Sequence, residues 1–147
     1  MNILALDVAT HCGWCMDKQL YGVWDLSPKR DESKGMRLFR FKAKLNEIAK
    51  EVKLDAIVFE RPAGFHKNAL IVEAEIVGVL KLWCEENKIE YRAYSAGEIK
   101  KFATGCGNCS KDLMVEAAQD KLGMIGDDDN EADAMWLWQL AKKDLEG

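Results

Sequence analysis

Several acidic side chains of this sequence stand where an apolar residue would pack better. Asp7 interrupts the apolar run "NILALDVA", Glu60 closes the run "LDAIVFE", and Asp133 falls one turn into the apolar helix expected from "GDDDNEADAMWLWQLAKK". A buried carboxylate is costly unless it is paired, hydrogen-bonded, neutralised or bound to a metal. Singly, each has a plain reading. Asp7 would anchor a turn, Glu60 would pair with Arg61, and the acids from Asp127 with Asn130 would cap the positive end of a helix. Taken together they point elsewhere, because Asn130 and Asp133 lie i, i+3 on one helical face and look at the same point. Oxygen donors without a His suit hard cations, Mg²⁺ or Mn²⁺. Two such ions about 3.5–4 Å apart can activate a water and stabilise the leaving oxygen of a phosphodiester.

The elements that must position these groups follow from periodicity. Residues 2–9 read as a first strand, and "GWCMDK" and "LYGVWDL" as two more with a turn near Asp17–Lys18. Met36, Phe39, Leu45, Ile48 and Val52 recur at helical spacing over 34–52, with bases on the other side. "LDAIVFE" is a fourth strand, and "RPAG" breaks the chain after it. A long helix over 68–86 carries Gly78 in its interior, where Gly costs about 1 kcal/mol relative to Ala, so a close helix contact is expected there. "IEYRAY" is a fifth strand. Helices follow over 96–103, 110–122 and 131–142, the first two joined by the Gly-rich "TGCGN". This order predicts an α/β fold, a five-stranded mixed sheet flanked by helices. Adjacent central strands would bring Asp7 and Glu60 to one end of that sheet.

The 147 residues are most simply one domain, 1–147, with the 48% hydrophobic and 31% charged content of an ordinary globular protein. No apolar run approaches the roughly 18 residues of a membrane span. No basic leader precedes the first strand, and five Cys suggest free thiols in a reducing cytoplasm. The net charge of −4 does not advertise a nucleic-acid binder, but acids and bases are segregated. Lys29, Arg30, Lys34, Arg37, Arg40, Lys42 and Lys44 crowd one segment against Asp31, Glu32 and Glu47. That segment is either a solvated helix face or an outer phosphate-binding surface, with Arg37 and Arg40 as DNA contacts.

The stretches "ILALDVATHCGW", "IVFERPAG", "IKKFATGCGNCSKDLM" and "DDDNEADAMWL" follow one another in an order that resembles the RuvC-type Holliday junction resolvases of the ribonuclease H-like superfamily. The short RuvC-like proteins of phages and prophages are the nearest in kind. The resemblance covers nearly the whole chain and implies an RNase H-like fold. It also implies a homodimer that cuts symmetric strands of a four-way DNA junction, or another branched DNA, with Mg²⁺ or Mn²⁺. By resemblance, Asp7 is the first-strand acid that bridges both metals, Glu60 the acid ending the fourth strand, and Asp133 the acid of the terminal helix. Asn130 stands where the family has Asp or His; it is a neutral, weaker ligand, and Asp129 beside it is the alternative donor. Lys100 and Lys111 match basic residues that flank the Gly-rich turn and face DNA phosphates, Lys111 also suiting the reacting centre. Thr104, Gly105 and Gly107 form a turn whose N–H groups could approach a phosphate. Phe65 is the candidate for the aromatic that wedges against a junction base, as opposed to a residue stapling the helix start to the core. The helix 68–86 is the implied dimer helix, with Ile71, Ala74, Val77 and Leu80 as its apolar face.

Cys12-x-x-Cys15 and Cys106-x-x-Cys109 have the internal spacing of a four-Cys zinc site. Alternation on a strand would send Cys12 and Cys15 to opposite faces, so free thiols are the expectation. The competing functions are a branched-DNA-binding dimer that has lost catalysis, with Asn130 as the symptom, and an RNase H acting on RNA/DNA hybrids. An actin-like ATPase would need a second lobe for which 147 residues leave no room.

Overall fold

The computed structural model describes residues Met1–Gly147. The apolar runs at the start of the chain form β1 (Ile3–Asp7), β2 (His11–Asp17) and β3 (Leu20–Asp25), an antiparallel meander. Helix α1 (Gly35–Glu51) leads to β4 (Ala56–Glu60), and α2 (Lys67–Asn87) leads to β5 (Glu90–Tyr94). β4 pairs parallel to β1, and β5 parallel to β4, giving one mixed sheet in the order β3-β2-β1-β4-β5. Helices α3 (Ala96–Thr104), α4 (Lys111–Leu122) and α5 (Asp129–Glu146) complete the chain. This is the α/β architecture expected from the sequence, with helix and strand ends displaced by a few residues.

Strand alternation divides the core into two layers. Leu4, Leu6, Ile57 and Phe59 point to the layer under α1 and α2, where Phe41, Leu45, Ile76, Leu80 and Trp83 are buried. Ile3, Ala5 and Val58 point to the other layer, where Ile99, Met114, Met135 and Trp138 of α3, α4 and α5 lie. The Trp83 indole N–H donates to Asn46 Oδ1 at 2.8 Å and ties α2 to α1. The inward face of α1 differs from the expected one. Phe39 is 66% exposed and Phe41 is fully buried, because the helix turns its Phe41–Leu45 ridge to the sheet.

The last helix begins earlier than its apolar residues suggest. Asp128 supplies the N-cap, its Oδ1 accepting from the Asn130 and Glu131 N–H groups at 2.8 and 3.1 Å. Asn130 and Asp133 therefore both sit in the opening turns of α5. No helix is long and apolar enough to cross a membrane.

Candidate active site

Asp7 and Glu60 meet for reasons of parity and register. Ala5 and Val58 face the α5 layer, so Asp7 and Glu60, two residues further along their strands, face it too. The parallel ladder runs from Ile3 opposite Ala56 to Leu6 opposite Phe59, and one more step sets Asp7 beside Glu60. Both carboxylates thus emerge at the carboxyl ends of neighbouring central strands, on the face covered by the start of α5. That helix brings Asp133 and Asp129 to the same place, since both act electrostatically on Asp7.

The electrostatics are those of crowded acids. Burial pushes the Asp7 carboxyl well above its ordinary range, and Asp133, Glu60, Asp129 and Glu73 push it further the same way. Asp133 rises to about 7, chiefly by burial and then by repulsion from Glu60 and Asp129, with Lys111 and Lys100 opposing. Glu60 is raised by burial, and Lys100 is the largest influence against it. Lys100 and Lys111 are therefore gathered at the site, one on α3 and one opening α4. Lys111 Nζ lies 3.4 Å from Asp129 Oδ2 with most of its side chain in solvent.

Other candidate residues fall elsewhere or take other roles. Arg40 donates to both carboxylate oxygens of Glu32 at 2.7 Å and to the Ser27 carbonyl at 3.1 Å. It is a half-buried strut of the loop before α1, already held by Glu32 and the Ser27 carbonyl. Arg37 lines a 370 Å³ cavity between the starts of α1 and α2 with Lys34, Asn68 and Glu75, and its Nε has no partner. The Thr104 hydroxyl donates to the Lys100 carbonyl at 2.9 Å and accepts from the Cys106 N–H at 3.2 Å, so it shapes the Gly-rich turn from within. Gly105 closes α3 in the left-handed conformation, φ +83°, that glycine takes without a steric cost. Phe65 is fully exposed on the loop after β4, which excludes the helix-staple role. The cysteines are free thiols, and Cys12 and Cys15 lie in opposite core layers as alternation requires, too far apart in direction to share a zinc ion.

The sequence reading missed Glu73. It stands in the first half of α2, raises both Asp7 and Glu60, and is itself raised by burial. A signal was present, because Glu73 lies i−3 and i−4 from Ile76 and Val77, both of which are buried.

The donor set fits a hard divalent cation in kind: carboxylate oxygens, no His, and an Asp7 whose charge is opposed by four neighbouring acids. No three of the acids close on a single point, so the fit rests on donor chemistry and on the uncompensated charge. Asp7, Glu60 and Asp133, with Asn130 or Asp129, are the residues that would hold it.

No protein-family model matches the sequence. Solved structures do match the fold. Thermus thermophilus RuvC superposes with a TM-score of 0.74 at 16% identity, over 99% of this chain and 97% of that one. The fold is that of RuvC. Thermus thermophilus RuvC in complex with a Holliday junction substrate matches at TM-score 0.72 and 19% identity, over 93% of this chain and 90% of that one. The yeast mitochondrial Holliday junction resolvase matches at TM-score 0.66 and 11% identity, over 99% of this chain and 80% of that one. The mixed sheet with helices on both faces is thus shared with RuvC along essentially the whole chain.

Proposed function

We propose that this chain is a single-domain, metal-dependent endonuclease that resolves four-way DNA junctions. The observation that carries the reading is that Asp7 and Glu60 end neighbouring strands β1 and β4 and that Asp133 of α5 acts electrostatically with them, on a RuvC fold. One structural neighbour is a RuvC bound to a Holliday junction substrate, and another is a Holliday junction resolvase, which supports branched DNA as the substrate.

Asp7, Glu60 and Asp133 supply the oxygen donors, assisted by Asn130 or Asp129. Mg²⁺, or Mn²⁺ in its place, supplies Lewis acidity toward the attacking water and the departing oxygen when bound there. Attack on phosphorus breaks the bond to the 3′ oxygen and leaves a 3′-hydroxyl and a 5′-phosphate. Lys100 and Lys111 hold the phosphate that approaches the acids, and their positive charge offsets the charge that develops on it. The turn from Thr104 to Gly107 and the Lys34–Arg37 end of α1 extend the phosphate-binding surface, so binding should weaken steeply with salt. Phe65, fully exposed on the loop after β4, contacts a base at the branch.

The proposed partner is a second copy, met through α2. Val77 and Leu80 are buried in this chain's own core, so the outward face is not the one expected from periodicity. It consists of Ile71, 49% exposed, Leu82, 62% exposed, and between them Ala74 and Gly78, with nothing near Gly78 in its own chain. Two such faces can approach closely at the small residues.

The test is strand cleavage of a synthetic four-way junction, with duplex and RNA/DNA hybrid controls, in Mg²⁺, Mn²⁺ and EDTA. Paired nicks confined to the junction and dependent on metal are expected. Tight junction binding without cutting in either metal would make this a binding module, and cutting of the hybrid alone would make it an RNase H.

A further inference from the structure

We propose that Gly13 is the positioning residue of the acid site: its missing side chain is the seat on which the first turn of α5 rests, and it sets how far Asn130 and Asp133 stand from Asp7. The inference rests on the reading of those acids as a cation site.

Gly13 lies in the middle of β2 and pairs directly with Asp7 in the antiparallel ladder. Residues opposed in this way point to the same face, so a side chain at 13 would rise beside the Asp7 carboxylate, into the layer where α5 packs. A Cβ built there would lie 2.1 Å from the Asn130 carbonyl oxygen, 2.6 Å from its carbonyl carbon and 3.2 Å from its Cβ. Non-bonded heavy atoms settle at about 3.5–4 Å, so the helix start would have to retreat by roughly 1 Å or more. The obstacle is helix backbone, which no rotamer change can move aside.

Backbone conformation does not account for the glycine. The glycines at positive φ are Gly64, Gly105, Gly123 and Gly126, and Gly13 is not among them. A glycine inside a strand weakens it, and its usual justification is close approach of another backbone. Gly22 on β3, which pairs with Trp14, makes the contrast: a Cβ there would meet the Trp14 ring at 2.9 Å, a side chain and not helix backbone.

The retreat cannot be shared along α5. Ala132, Ala134, Met135 and Leu137 are buried, and the Trp136 indole N–H donates to the Met114 carbonyl at 3.2 Å. With the body of the helix held, a side chain at 13 tilts the opening turn alone, and that turn carries Asn130 and Asp133. A misplacement of about 1 Å at a reacting centre is worth on the order of 10²-fold in rate.

The experiment compares wild type, Gly13→Ala and Gly22→Ala, each as the full metal-stripped chain titrated with Mn²⁺ by calorimetry. Junction binding in EDTA and single-turnover cutting are measured alongside. Gly13→Ala should fold, bind Mn²⁺ at least about tenfold more weakly, and lose cutting rate while holding junction affinity within about twofold. Gly22→Ala should bind Mn²⁺ as wild type does. In an Asp7→Asn background, Gly13→Ala should cost little further Mn²⁺ affinity, because the distance it perturbs has lost one end. Wild-type Mn²⁺ affinity in Gly13→Ala overturns the proposal. So does a Gly13→Ala chain that cannot fold while Gly22→Ala does, since Gly13 would then serve the sheet as a whole. A wild type that binds Mn²⁺, loses that affinity in Gly13→Ala and yet cuts no junction would sink the nuclease reading and leave Gly13 as the seat. Failure of the wild type to bind Mn²⁺ overturns both.

Discussion

Glu32 and Asp7 are both acids held by folded structure, and they are held in opposite ways. Glu32 takes two hydrogen bonds from Arg40 and one from the Lys29 N–H at 2.6 Å, and its carboxyl is held below the ordinary range, first by the Arg40 bond. Asp7 is pushed up, first by burial and then by Asp133, Glu60, Asp129 and Glu73. The first region is an ion pair the protein has completed. The second is one it has left short of positive charge, and structural ion pairs are not built that way. Perturbed carboxylates crowded at one place mark a functional site more often than a scaffold.

The comparison is broken most severely by removing the uncompensated charge. Asp7→Asn should lower junction cutting by at least about 10³-fold, read in single-turnover assays, with junction affinity in EDTA unchanged. The same variant should raise the melting temperature of the metal-free protein by roughly 2–6 °C, because repulsion is relieved. Equal loss of binding and cutting would make Asp7 a structural acid.

Lys111→Ala should reduce cutting by roughly 10²-fold and push the Asp133 carboxyl higher still, since Lys111 is the larger of the two cations acting on it. An unchanged rate would return Lys111 to the status of a surface Lys.

Metal-free stability should depend on pH in the sense set by raised carboxylates. The folded state holds a proton on Asp133 up to about pH 7, whereas the ordinary Asp value is 3.8. Over that window the folded protein binds more protons than the unfolded chain, so stability is highest at the acid end and falls as pH rises through about 7. Urea midpoints between those limits in EDTA should fall with pH, and saturating Mn²⁺ should flatten or reverse the slope. A midpoint rising with pH in EDTA would mean the acids are already compensated.

The smallest effect is expected at the completed pair. Arg40→Ala should leave cutting within about twofold and lower the melting temperature by only a few degrees, as peripheral ion pairs do. A large loss of junction affinity would restore Arg40 to the DNA surface.

Much of this was open to reading along the chain. The short apolar runs "ILALD" and "AIVFE" marked two strands with an acid at the end of each, and the long apolar stretches bounded by turn signals marked α2 and α5. These are short-range properties, governed by side-chain period and local steric preference, and they need no knowledge of neighbours. The face of α1 was misjudged because Phe39 and Phe41 are equally apolar, and only the position of the sheet selects Phe41. Charge density along the chain does not reveal that Glu32 and the Ser27 carbonyl already hold Arg40.

Local sequence therefore settles which residues are acids at strand ends and helix starts. Their meeting depends on strand order and register, which place Asp7 level with Glu60 across a long crossover. The same holds for Glu73 on α2, the Lys111–Asp129 contact between α4 and α5, and the Asn130 carbonyl seated over Gly13. Each joins segments remote in sequence, and its distance is set by packing thickness and helix tilt, which no single segment encodes.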